Sequence, residues 1–219
     1  MVGSMRGGSI HILPDRTVPC CIAQCEWLFD GMQVACFALS NIWDFSIIRA
    51  VLVGEEIGTS NLRIGIGHDT HRLGPGSILR LGGVDVPHDR SLIGHSDADV
   101  LLHALTDALL GAAALGDIGQ IFPDTDVKNA DRNSAEMLQE VASRVRQAGY
   151  NVVNVDCIIF AERPKIAPYS TEICGSIAEI LSVSPEAVSL KAKTGEGVGP
   201  VGNEEAISAQ SVALLEKKT

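Results

Sequence analysis

Positive charge is scarce in this chain. Across 219 residues, 17 Lys and Arg stand against 27 Asp and Glu, a net charge of −10. A general nucleic-acid binder needs a basic footprint, and this composition has the opposite sign. Phosphates must instead be met locally, by metal ions, backbone N–H groups or a few placed cations. Long apolar runs are also missing. The longest charge-free apolar stretch near the N-terminus, Gly31–Trp43, has 13 residues, short of the roughly 20 that a membrane-spanning helix needs. No secretory apolar core with a small-residue cleavage site precedes the cysteines. The six cysteines, with Cys20, Cys21, Cys25 and Cys36 crowded near one end, are therefore not read as a disulfide framework. At 46% hydrophobic and 20% charged residues, disordered and collagen-like classes are excluded. The expectation is a soluble, intracellular protein with no membrane and no nucleic-acid partner.

Residues 1–60 and 61–219 differ in character. The first part lacks Lys altogether and holds three Arg, six acids, both Trp and three of the five Phe. A transit peptide would be rich in Arg and Ser and poor in acids, so a bacterial cytoplasmic location is expected over a plastid. The stretch from Trp27 to Val53 fits a helix or a strand equally. Residues 1–60 are expected to be an N-terminal extension or an over-long gene model with the true start near Val53, and residues 61–219 the functional domain.

From Arg63 the patterns become regular. Arg63–His71 alternates as a strand does, and Arg80–Val86 reads as a short strand with a turn or bulge at Gly82-Gly83. Ser96 and Asp99 form an S-x-x-D box opening a helix to about Leu115, stopped by Gly116. Asn133 and Glu136 repeat the device for a helix to Gln147, with Gly149 at its C-terminal end. Asn151–Phe160 reads as a strand and Pro168–Leu181 as a helix. A short helical turn at Ser184–Glu186 precedes the strand Val188–Thr194, and Ala206–Leu215 closes the chain as strand rather than helix. This alternation predicts an α/β or α+β domain with one mixed sheet layered against helices.

Several residues can carry chemistry. Asp69 and His71, two apart on a strand, share a face. With His103 they would make a three-ligand zinc site with one open position, although such pairs also end strands at a solvent edge. Asp99, His103 and Asp107 form one helical stripe. The plain reading is a solvated face; the functional one has a flanking carboxylate orienting the His103 ring. His95-Ser96 precedes a helix N-terminus suited to phosphate, or Ser96 is a routine cap. Lys165 meets a phosphate or is a surface cation. The loop Thr194-Gly195-Glu196-Gly197 permits close backbone approach to a ligand, yet it is neither a Walker A nor a G-x-G-x-x-G motif.

Taken together, Arg63-Ile-Gly-Ile-Gly-His-Asp-Thr-His-Arg72, the block from His95-Ser-Asp-Ala-Asp-Val-Leu-Leu-His103 to Gly119, Phe122-Pro-Asp-Thr-Asp126, Ala161-Glu-Arg-Pro-Lys165 and Lys191-Ala-Lys-Thr-Gly-Glu196 resemble the 2-C-methyl-D-erythritol 2,4-cyclodiphosphate synthase family. The resemblance covers residues 62–219. It implies a phosphorus–oxygen lyase of non-mevalonate isoprenoid biosynthesis, a homotrimer with active sites between subunits and a small-molecule substrate. It implies Zn²⁺ on Asp69, His71 and His103, and a second ion, Mg²⁺ or Mn²⁺, bridging the substrate diphosphate near Glu196. His95 and Thr194 match catalytic positions that steady the phosphates. Thr70, Ser96, Lys193 and Gly195 match substrate-contacting positions. Ala161, Lys165, Ile166 and Ala167 match the cytidine pocket. Asp117, Ile118, Gly119, Phe122, Pro123, Asp124, Thr125 and Asp126 match the part that holds the erythritol and closes over it.

Three departures stand beside the resemblance. Residues 1–60 have no counterpart in single-domain members and are too short for the cytidylyltransferase domain of bifunctional relatives. Gly195-Glu-Gly-Val-Gly-Pro replaces a commoner Thr-Glu-Lys-Leu-Gly-Phe type of loop. Asn203 stands where many members have an Arg lining the trimer cavity, which bears on any anionic isoprenoid bound there. Two rival functions share the same residues: a zinc phosphohydrolase activating water, and a nucleotide- or metal-binding module without turnover.

Overall fold

Strict alternation produces the first long strand of the domain. In β3 (Leu62–Pro75) Gly65, Gly67 and Leu73 are buried while Ile64, Ile66, His68 and Thr70 are exposed. The computed structural model describes residues 61–218, apart from 124, 127, 128, 130 and 131, and two earlier strands, β1 (Ile22–Phe29) and β2 (Met32–Leu39), which pair antiparallel with Phe29 opposite Met32. The remainder of the Trp27–Val53 stretch lies outside the described residues. The chain divides into two units, Met1–Gly58 and Thr59–Thr219.

After β3 come a hairpin of β4 (Ile78–Leu81) and β5 (Val84–Pro87), then β6 (Arg90–Ile93), α1 (Val100–Ala113) and the short α2 (Ile118–Ile121). They are followed by α3 (Ser134–Gln147), β7 (Tyr150–Phe160), α4 (Ser170–Leu181), β8 (Val188–Lys193), a single turn α5 (Gly199–Gly202) and β9 (Ala206–Lys217). The main sheet has the order β6-β3-β9-β7-β8. Its pairs are antiparallel except β7 with β8, which run parallel across the α4 connection. The sheet is therefore mixed, and helices cover one face of it. The stretch Arg80–Val86, expected as one strand with a turn or bulge, is two strands of a hairpin. Gly82 and Gly83 sit at φ +63° and +82° in its turn, a region open to glycine at no steric cost.

α1 is the centre of the core. Leu101, Leu102, Ala104, Leu105, Ala108, Leu109 and Leu110 are all fully buried, each leucine contributing about 1.5–3 kcal/mol relative to exposure. A helix apolar on nearly all sides has to lie inside, and α1 packs on β3 and β9. Two glycines make this seating possible. A Cβ on Gly65 would come 2.1 Å from the Ala108 carbonyl oxygen, and one on Gly67 would come 1.9 Å from that of Ala104. The backbone of α1 thus rests directly on the backbone of β3.

The cap of α1 differs from the expected one. The helix starts at Val100 and its cap is Asp99, whose Oδ1 accepts the Leu102 N–H at 3.1 Å. Ser96 lies outside the helix, and its hydroxyl accepts the Ala98 N–H at 3.2 Å instead. Asp99 is fully buried because its carboxylate also takes the Gly82 and Gly83 N–H groups at 2.9 and 2.7 Å. Burial pushes its pKa up to about 6, against the pull of these N–H donors. The solvated-face reading of the Asp99–His103–Asp107 stripe therefore fails at its first member. At α3 the expected cap is found: the Asn133 side chain accepts the Ala135 N–H at 2.8 Å, and Gly149 follows the helix at φ +89°.

Candidate metal centre and nucleotide pocket

Seating α1 on Gly67 carries His103 over the C-terminal half of β3. Asp69, His71 and His103 converge there, each offering one ligand atom, all within 4.8 Å of one another. Asp69 Oδ2 lies 2.9 Å from His71 Nε2 and 3.0 Å from His103 Nδ1, and the two ring nitrogens are 3.1 Å apart. His71 Nδ1 donates to the Ile93 carbonyl at 2.9 Å, which turns Nε2 toward the centre. The Thr70 N–H holds the other Asp69 oxygen at 2.7 Å. Gly94 lets the following loop close over this ring, since a Cβ there would stand 2.8 Å from His71 Cε1.

Burial opposes charge on both partners, but their mutual contacts win. The hydrogen bonds of Asp69 to His103 and His71 hold its carboxyl far below the usual range. The hydrogen bonds of His71 to Asp69 and to the Ile93 carbonyl raise the imidazole above its ordinary value. Two imidazole nitrogens and one carboxylate oxygen aimed at one point form a donor set that fits Zn²⁺, and three protein ligands are the number found where a fourth position serves substrate or water.

Neither carboxylate of the α1 stripe orients His103. Asp99 is spent on the cap and hairpin, and Asp107 Oδ1 accepts the Ile118 N–H at 2.8 Å, tying α2 to α1. The ring instead meets hydroxyls: His103 Nε2 lies 2.8 Å from Ser134 Oγ and 3.0 Å from Ser96 Oγ. Ser134 was not among the residues singled out from sequence. Its place at the start of a helix was legible from Asn133 and Glu136; its contact with a residue 31 positions away was not.

The other expected residues fall into two groups. At the metal end, His95 is exposed in the loop before α1. Asp117 caps α2 through the Gln120 N–H at 2.9 Å, placing Ile118 and Gly119 in its first turn. Phe122 is in the core, under the Arg132 guanidinium at 4.6 Å, so its ring is a support for this loop. Pro123 and Thr125 are exposed, the Pro123 carbonyl accepts the Asp126 N–H at 3.0 Å, and Asp124 lies outside the described residues.

The second group surrounds a cavity of about 200 Å³ lined by Ala161, Pro164, Lys165, Ile166, Ala167, Ala192, Lys193 and Thr194. Glu162 Oε2 accepts the Gly195 N–H at 3.0 Å, and the Thr194 hydroxyl donates to Glu196, which sits at φ +51°. That left-handed conformation is unusual for a residue with a side chain, and such strain concentrates at functional loops. The loop also packs on itself without side chains: a Cβ on Gly195 would lie 2.4 Å from Gly202 N. None of the metal-centre residues lines this cavity. Among the described residues no helix is long and apolar enough to cross a membrane. Cys157 and Cys174 are free.

Comparison with known proteins agrees with this arrangement. The YgbB family matches residues 62–216. A 2-C-methyl-D-erythritol 2,4-cyclodiphosphate synthase from Rhodopirellula baltica is 53% identical over 156 residues, covering 71% of this chain and 94% of that protein. The synthase of the same name from Salinibacter ruber is 56% identical over 155 residues, covering 71% and 99%. A solved structure of such a synthase, in a form with bound CDP, shares 36% identity and covers 70% of this chain and all of that one, with a TM-score of 0.66. The chain belongs to the YgbB family, that of the 2-C-methyl-D-erythritol 2,4-cyclodiphosphate synthases, enzymes of isoprenoid biosynthesis.

Proposed function

We propose that this chain converts 4-diphosphocytidyl-2-C-methyl-D-erythritol 2-phosphate to 2-C-methyl-D-erythritol 2,4-cyclodiphosphate and CMP. In that reaction an oxygen of the 2-phosphate attacks the β-phosphorus, and the bond from that phosphorus to the CMP oxygen breaks. The substrate supplies its own nucleophile, so the protein has to position charges and hold the chain folded back on itself. The convergence of Asp69, His71 and His103 carries this reading. Zn²⁺ on those three residues, and Mg²⁺ or Mn²⁺ beside Glu196, would neutralise charge that grows on the phosphates.

The chain's own residues have separable tasks. His95 and Ser96 offer donors to phosphate oxygens, and the Thr194 hydroxyl, which donates to Glu196 in the free protein, would turn to a phosphate when substrate binds. The cavity of Ala161, Lys165, Ile166 and Ala167 accepts the cytidine end, with Lys165 and Lys193 supplying positive charge at its rim. Asp117, Gly119, Pro123, Thr125 and Asp126 would serve the erythritol end, and Thr70 and Gly195 would contact substrate through polar and backbone groups.

The protein works as a homotrimer in this reading. On the sheet face turned away from α1, Ile64 and Ile66 are 73% and 63% exposed, an apolar area that monomers rarely leave in water. The separation of the metal centre from the nucleotide cavity supports a site completed between neighbouring subunits. A cytoplasmic location fits the acidic composition and the bacterial relatives.

The test is ³¹P NMR of the purified protein with zinc, magnesium and substrate. A cyclic diphosphate with equal CMP, lost in His103→Ala, is the expected result. Inorganic phosphate or a linear product would assign a phosphohydrolase, and CMP binding without turnover a binding module.

A further inference from the structure

His103 is held from behind by a chain of groups belonging to two other segments. Ser134 is the first residue of α3 and is fully buried. Asp97, in the loop before α1, accepts the Ser134 amide with Oδ2 at 3.1 Å and the Ser134 hydroxyl with Oδ1. One carboxylate thus takes a free N–H at the start of α3 and the hydroxyl proton beside it. It also lies 3.4 Å from the Asp99 N–H, which keeps it against the start of α1.

The direction of these hydrogen bonds follows from what each group can do. An ionised carboxylate only accepts, so the Ser134 proton goes to Asp97. The Ser134 oxygen is then left as an acceptor, and its neighbour at 2.8 Å is His103 Nε2. With a metal ion on Nδ1, Nε2 would carry the ring's proton and donate it to that oxygen. Nδ1 is the atom that faces Asp69 Oδ2 and His71 Nε2. Ser96 Oγ, 3.0 Å from the same Nε2, already accepts the Ala98 N–H.

We propose that Asp97 and Ser134 are positioning residues that hold the His103 ring at Nε2 and so aim Nδ1 at the metal centre. The inference rests on the metal reading of Asp69, His71 and His103. It gives His103 the same kind of support that the Ile93 carbonyl gives His71. Without Ser134 the ring loses its nearer hydroxyl partner at Nε2 and is less firmly aimed at the centre. Partners of this kind typically change metal affinity by about 10- to 100-fold.

Two measurements on the full chain separate this inference from the metal reading. The first is long-range ¹H–¹⁵N correlation of the His103 ring with Zn²⁺ bound, read together with solvent exchange of the Nε2 proton. The expected result is a slowly exchanging Nε2–H in the unsubstituted protein and a faster one in Ser134→Ala. Equal exchange in the two would overturn the proposal. The second is competition for Zn²⁺ against a chromophoric chelator, with Co²⁺ absorption as a report of ligand geometry. Ser134→Ala is expected to weaken Zn²⁺ about 10- to 100-fold, and Ser134→Thr, which keeps the hydroxyl, to restore most of it. Equal affinity in Ser134→Ala and the unsubstituted protein would overturn the proposal. Absence of stoichiometric Zn²⁺ binding in the unsubstituted protein, with no change in His103→Ala, would instead remove the metal reading and the inference with it.

Discussion

Gly67 faces Ala104 so closely that a Cβ on the glycine would stand 1.9 Å from the alanine carbonyl oxygen. Ala104 is the neighbour of His103, and Gly67 stands two residues before Asp69 on the same strand face. The contact that lets helix and strand touch is therefore also the one that sets the height of His103 above its two partners. Substituting Gly67→Ala should push α1 away, costing about 1–3 kcal/mol as an overpacked core site does. The metal centre should loosen with it. Chemical denaturation together with zinc stoichiometry checks this; an unchanged midpoint with full stoichiometry would be the contrary result.

Metal binding should depend on pH through His71. Its pKa is raised above 6.5, chiefly because the Asp69 hydrogen bond overcomes the effect of burial. A ligand nitrogen must be unprotonated, so zinc affinity should be weak at pH 6 and increase as pH passes above the raised value. Titration calorimetry at several pH values reads this out, and a flat profile would contradict it.

The same pair governs the metal-free protein's own stability. A histidine with a raised pKa stabilises fully below its ordinary value of 6.5 and loses that effect as pH rises through the folded value. A carboxylate with a lowered pKa stabilises above its ordinary 3.8 and loses that effect as pH falls below it. The contribution of the pair should therefore be largest between about pH 4 and 6.5. Asp69→Asn should flatten the stability profile across that window when unfolding is followed in the presence of a chelator.

Asp99 joins the start of α1 to the β4–β5 turn by three N–H bonds. Asp99→Ala removes a helix cap and leaves buried donors unmet, at a cost of about 2–4 kcal/mol. Thermal unfolding should show a clear drop, and a variant as stable as its parent would show that the hairpin is held by packing instead.

Ile64 and Ile66 lie on the open face of the sheet, opposite Leu214 and Val212 of β9. Ile66→Lys should leave the domain folded and reduce its mass in solution from trimer to monomer. Sedimentation equilibrium with circular dichroism decides this. A parent protein that is already monomeric would defeat the trimer reading.

Cys157 is buried on β7, and burial pushes its thiol to about 11. It should resist thiol reagents in the native state and react on unfolding, because the thiolate is the reactive form. Rapid labelling of the folded protein would contradict this.

How much of this was readable in the chain varies by residue. Asp69 and His71 were paired by the two-residue period of a strand, and His103 stood on a helix of unmistakable apolar content. The cap at Asn133 and the Gly149 stop were local chemistry and came out as expected. Ser96 and Asp99 were assigned to one box, but the buried carboxylate does the capping, drawn inward by a hairpin turn that no local pattern announces. The strand β6 and the short α2 carry too few residues to show any period. Phe122 resembled a ligand-facing residue, while the Arg132 guanidinium and the core hold it.

Local periods and caps therefore determined which segments are strands and helices, because those preferences act over a few neighbouring residues. The strand pairing order, the contact of α1 with β3 through two glycines, and the reach of Asp97 and Ser134 behind His103 were decided only in three dimensions. They depend on backbones meeting across the core, where the absence of a Cβ or the presence of one buried carboxylate matters more than any run of sequence around it.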